Sequence, residues 1–248
     1  MSRADPFSSR PNLSIDRRRL LLGAGALAAS SLLPFRPAEA AGESLLRRAV
    51  ARAGGKDVLE RVRLLTWDGE AVVHDGNRDI RIGMSTMVVP FITARSSSWP
   101  IAEGKAAART MIITKDGGRV ERSGMTAPLP ATITVHERAQ FAMYGLMLLQ
   151  FDSGRAGIRR VASVHGLSGL RVDHPYAPKS RLYFESDGRL AEARNAVPGP
   201  IDGRPVHQHF YFSREQMPGP VRWPRTIRIE QGGRPYFELT LSRFEAAI

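Results

Sequence analysis

The sequence predicts a mainly β fold of the α+β class: a curved antiparallel sheet with an N-terminal helix and an apolar inner helix. Three observations carry this. Apolar and polar residues alternate through many short stretches. Hairpin-turn sequences separate those stretches, as at Asp75-Gly76-Asn77, Asp116-Gly117-Gly118, Asp187-Gly188 and Gly232-Gly233. One long stretch, 134–151, instead repeats at helical spacing and is apolar nearly all round.

The chain opens on an export signal. Asp16-Arg17-Arg18-Arg19-Leu20-Leu21 has the paired arginines, spacer and apolar pair of a twin-arginine signal. An uncharged apolar stretch, 20–33, follows and is shorter than the roughly 20 residues a membrane span needs. Ala38-Glu39-Ala40 supplies the small-x-small pattern of a signal-peptidase site, with cleavage before Ala41. The expected division is therefore residues 1–40 as signal peptide and 41–248 as one domain in the periplasm.

Leu45, Leu46, Ala49, Val50 and Ala53 recur at helical spacing up to Gly54-Gly55. Val58, Leu59 and Val62 extend the pattern into a second, short helix. The first strand follows, with Leu65, Trp67, Ala71 and Val73 on its apolar face; Ile80, Ile82, Met84 and Val88 form the next. Met111–Ile113 begins another hairpin. Further strands read at 170–172, 182–185, 190–194, 206–213, 221–230 and 236–244. Segments 96–105 and 197–205 read as excursions at the sheet rim. No βα alternation occurs, which argues against a parallel sheet. Thr134-Val135-His136-Glu137 fits a capping box, with Glu137 reaching back to the Thr134 amide. The helix behind it must lie inside the sheet or face an apolar cavity.

Residues 1–40 carry six Arg against Asp5, Asp16 and Glu39, so about +9 of the total +12 belongs to residues 41–248. The charge is almost all Arg and is scattered along the strands, without the basic runs and interleaved aromatics of a nucleic-acid surface. Transient contact with an anionic membrane surface suits it better. The chain has no Cys, which excludes thiolate metal sites, Fe–S clusters and thiol catalysis.

The chain resembles the LolA/LolB-like superfamily of periplasmic half-barrels, a lipoprotein-carrier-like fold. Three stretches carry the resemblance: Ala53-Gly54-Gly55 through Val62 into the strand 64–73; the hairpin Leu182-Tyr183-Phe184-Glu185-Ser186-Asp187-Gly188-Arg189-Leu190; and the C-terminal Phe210-Tyr211-Phe212, Pro220, Arg222-Trp223-Pro224-Arg225 and Gln231-Gly232-Gly233. The resemblance implies a half-barrel that shields acyl chains.

The expected function is non-catalytic binding or carriage of a hydrophobic ligand such as a lipid or acyl chain, with no cofactor. Its expected lining is Trp67, Phe141, Met143, Tyr144, Met147 and Leu148; Met143 and Met147 stand four apart on the inner helix, and Met adapts to irregular apolar ligands. Core packing would place the same residues in the same way. The alternative is a metal-dependent or redox enzyme at His207 and His209, which share one strand face with Tyr211. That site needs a third ligand, for which His136, His165 and His174 are available, and a solvent-facing His pair explains the spacing equally simply. Ser96-Ser97-Ser98 and Ser163 lack the Gly-x-Ser-x-Gly elbow of a hydrolase, and the glycine pairs sit in hairpin turns rather than before helices.

Overall fold

The computed structural model describes residues 37–76, 78–151 and 156–248. The twin-arginine pair Arg17 and Arg18 lies outside the described residues. Helices α1 (Pro37–Ala53) and α2 (Lys56–Arg61) come first. A meander follows: β1 (Leu64–Asp75), β2 (Arg78–Val89), β3 (Thr93–Pro100), β4 (Arg109–Ile113), β5 (Gly118–Arg122) and β6 (Met125–Pro128). Helix α3 (Ala131–Met147) leads to a second meander: β7 (Gly157–Val164), β8 (Leu167–Asp173), β9 (Ser180–Phe184), β10 (Leu190–Pro198) and β11 (Pro205–Phe212). A two-stranded ribbon, β12 (Gln216–Met217) with β13 (Trp223–Pro224), precedes β14 (Thr226–Gln231) and β15 (Arg234–Ala247).

Thirteen strands form one antiparallel sheet in the order β6-β5-β4-β3-β2-β1-β15-β14-β11-β10-β9-β8-β7. It is curved and does not close. The first and last long strands meet at its centre, where Trp67 stands opposite Phe244 and Ala71 opposite Leu239. Inward positions of β1, β8 to β11, β14 and β15 are buried, and α3 lies among them. The expected half-barrel with an inner helix is therefore the observed architecture.

Segment 96–105, expected as a rim loop, is strand as far as Pro100, and only its remainder is a rim excursion. Its serines hide the pattern because they lie on both faces, and the sheet pairs their hydroxyls. Buried Ser96 Oγ lies 2.8 Å from Thr86 Oγ1, and Ser97 Oγ lies 2.7 Å from Thr110 Oγ1. Segment 221–230, expected as one strand, divides into β13 and β14 around Pro224-Arg225; proline cannot donate to a central ladder. The capping box does not form either. Helix α3 starts at Ala131 behind Pro130, with no side-chain cap, and Thr134 is buried within the first turn. Ala38 and Ala40 lie in the first turn of α1. That helix packs through Leu45 and Ala49, both fully buried. The β9–β10 turn meets it closely: a Cβ on Gly188, at φ 89°, would stand 2.8 Å from the Arg48 backbone, so only glycine fits.

Candidate ligand-binding site

Helix α3 builds the site. Its sequence is apolar on almost every side, and the sheet buries it accordingly. Three of the expected lining residues come together in an aromatic cluster. The Tyr144 ring lies 4.7 Å from Trp67, 6.1 Å from Phe141 and 6.4 Å from Trp223, which stacks on Phe244 at 4.8 Å. Met143, Met147 and Leu148 are buried in the core. Space beside these residues is small: about 30 Å³ next to Met147 and Trp223, and about 20 Å³ next to Phe141 and Phe91. Both are far smaller than a ligand pocket of roughly 300–1,000 Å³, so α3 leaves no room for a ligand at either place.

The larger apolar space lies at the rim, on another face of α3. Val135 and Ala139 of the helix, Phe91 and Ile92 of the β2–β3 turn, and Tyr176 and Pro178 of the β8–β9 connection line a groove of about 410 Å³. Ile92 is 63% exposed, Tyr176 60% and Val135 45%. Clustered exposed apolar side chains of this kind mark binding surfaces. Lys115 and Arg138 place cations on the same groove. Sequence periodicity does not find Ile92 and Tyr176, because both lie in turns; Val135 carries the one signal, an apolar residue in the exposed first part of α3. Phe91 holds the rim together. Its ring stacks on His174 at 4.1 Å and lies against Gly145, where a Cβ would meet it at 2.6 Å.

Polar groups gather at one side of α3. His136 Nδ1 lies 2.7 Å from the Pro198 carbonyl on β10, and its Nε2 meets the Gln140 amide. Gln140 also bonds Tyr236 of β15. Glu137, one residue on, turns into the half-barrel. Burial pushes its carboxyl up to about 7, with Arg109 of β4 pulling the other way. Burial, and then the Glu137 charge, raise Tyr144 and Tyr236 as well. Asn195 and Gln208, cross-strand neighbours on the inner face, are buried with no hydrogen-bond partner for either amide among the described residues. The interior thus offers an aromatic wall with polar groups beside it.

The alternative histidine site lies on the outer face. His209 Nε2 sits 2.8 Å from Glu192 Oε2 and its ring packs on Tyr211 at 4.0 Å. His207 is exposed beside it. Among the described residues no three His, Asp or Glu side chains come together as a metal would require.

No protein-family model matches the chain, and no curated protein does. Solved structures do. A LolA superfamily protein from Nitrosomonas europaea aligns with a TM-score of 0.53 at 12% identity, over 84% of this chain and 94% of its own. A domain described as that of an outer membrane lipoprotein-sorting protein from Vibrio parahaemolyticus gives 0.52 at 10%, over 84% and 92%. A DUF1329 family protein from Desulfovibrio piger gives 0.53 at 10%, over 84% and 93%. At such identities the likeness speaks for architecture, and with the open sheet and its inner helix it gives this chain a LolA-like fold.

Proposed function

We propose that this protein binds a hydrophobic ligand, a lipid or acyl chain, at its half-barrel in the periplasm and performs no chemistry on it. The observation that carries the reading is the rim groove, where Ile92, Val135 and Tyr176 hold apolar surface in water beside the inner helix. Burying one such side chain contributes about 1.5–3 kcal/mol, so a chain laid along the groove is held by apolar contact. Lys115 and Arg138 suit an acidic or phosphorylated head at its end. Entry deeper, to Trp67, Phe141 and Tyr144, requires α3 to shift, since it occupies that space. The lipoprotein-sorting description of one structural neighbour is in keeping with this reading.

The periplasmic assignment rests on the Arg17-Arg18 signal and the Ala38–Ala40 cleavage pattern. Cleavage before Ala41 removes only the first turn of α1 and leaves Leu45 and Ala49 packed, so residues 41–248 keep their core.

Native mass spectrometry and solvent extraction of protein taken from a periplasm test the function. A co-purifying lipid is expected. In solution, stearate binding should register by titration calorimetry, and Val135→Asp should weaken it about tenfold or more without lowering Tm, since Val135 is exposed. No extracted lipid together with no stearate binding overturns the reading.

A further inference from the structure

The register of the sheet brings four arginines into one row. Arg159 of β7 stands opposite Arg171 of β8, Arg171 opposite Arg181 of β9, and Arg181 opposite Arg194 of β10; the row continues to His209 of β11. Their immediate neighbours Val172, Leu182 and Phe210 are buried in the core, so the row projects from the outer face. With strands about 4.8 Å apart, the four guanidinium stems span roughly 15 Å.

Like charges directly opposite one another destabilise a sheet, and the local carboxylates answer this row only in part. Asp173 is shared by Arg159 at 3.2 Å and Arg171 at 3.1 Å. Glu192 is shared by Arg194 at 3.2 Å and His209 at 2.8 Å. Arg181, between those pairs, is exposed and has no ion pair among the described residues. The same face is hollow: Arg171, Lys179, Arg181, Arg194, His207 and His209 line an open cleft of about 700 Å³, with one carboxylate, Glu230, which accepts from the Tyr211 hydroxyl.

We propose that this outer cleft is an anion site that takes a group carrying two or more phosphates, with Arg181 as its central contact. Arginine's planar fork matches phosphate oxygens in pairs. Arginines repeating at strand spacing meet successive phosphates, and the cleft's volume admits a headgroup rather than a single ion. The site lies on the opposite face from the apolar groove and stands whether or not that groove binds lipid. The phosphates belong either to a soluble polyphosphate or to an anionic lipid head.

Two probes separate those sources: inorganic tripolyphosphate followed by titration calorimetry, and vesicles of cardiolipin, whose head carries two phosphates, in phosphatidylcholine followed by co-sedimentation, both at low salt. Tripolyphosphate binding alone identifies a soluble ligand; vesicle binding that tripolyphosphate displaces identifies a lipid head. In either case Arg181→Gln should weaken binding about tenfold without lowering Tm, because it removes a charge from between like charges. Arg243→Gln on β15, where the arginine is paired with Asp68, removes the same charge and should change affinity less than about twofold. The proposal is overturned if neither probe binds, if Arg243→Gln weakens binding as much as Arg181→Gln, or if vesicles bind undisturbed by tripolyphosphate.

Discussion

Glu137 is a carboxyl whose surroundings work against its charge. Arg109 from β4 attracts it, Tyr144 on its own helix and Tyr236 from β15 face it, and burial outweighs the attraction. A folded value near 7 lies above the ordinary value of 4.5. The folded state therefore holds the proton more tightly, and this contribution to stability is complete below pH 4.5 and lost as pH rises through 7. The difference is worth about 3 kcal/mol at most. Urea unfolding of the wild type should show stability falling between pH 5 and 8, with Glu137→Gln removing most of that slope and giving the more stable protein at pH 8. An unchanged slope would show that the carboxylate is solvated after all. The sequence pattern predicts a different duty for this residue, because Thr134-x-x-Glu137 matches a capping box. What decides is Pro130, which starts the helix one turn earlier and carries Glu137 inward. The Arg159–Arg194 row is hidden in the sequence for a related reason: residues 159, 171, 181 and 194 are far apart along the chain, and only strand register makes them neighbours.

At the scale of elements, α3 and the turn that covers it are mutually fitted. Gly145 costs the helix about 1 kcal/mol relative to Ala, and Phe91 adopts φ 61°, a left-handed conformation unusual for a bulky residue. Each is explained by the other, since the Phe91 ring occupies the volume a Gly145 side chain would need. Gly145→Ala should therefore destabilise the protein by about 1–3 kcal/mol through overpacking. In a Phe91→Ala background the same change should turn mildly stabilising, because only helix propensity remains. Thermal unfolding of the four proteins in this cycle reads the sign reversal; the same sign in both backgrounds would mean that the contact does not set the helix position. The helix itself is legible from its unbroken apolar character, and so is its inner location. The groove beside it is not, since Ile92 and Tyr176 sit in turns, where apolar periodicity carries no information.

Over the whole molecule, two meanders share one sheet. Local hairpins build β1 to β6 and most of the β7 to β15 half, and those hairpins are what Asp-Gly and Gly-Gly turns disclose in the sequence. The seam between the halves is β1 against β15, which pairs Leu64 with Ala247 and Val73 with Phe237. No turn signal can announce a pairing between strands at opposite ends of the domain. The core, however, is built across that seam: Trp67 of β1, Tyr144 of α3, Trp223 of β13 and Phe244 of β15 touch in one cluster. Neither meander buries its apolar face without the other, so the halves should not unfold separately. Urea denaturation of a Trp99→Phe variant, followed by tryptophan fluorescence, which then reports Trp67 and Trp223 at the seam, and by far-UV circular dichroism, which reports the whole sheet, should give coincident single transitions. Because the seam closes a loop of nearly the full domain, refolding should take milliseconds to seconds rather than microseconds. Removing β15 beyond Leu241 deletes Phe244 and the pairing of Leu65 with Ala246, and should leave neither half folded. A fluorescence transition well separated from the circular-dichroism transition would show instead that each meander is stable alone.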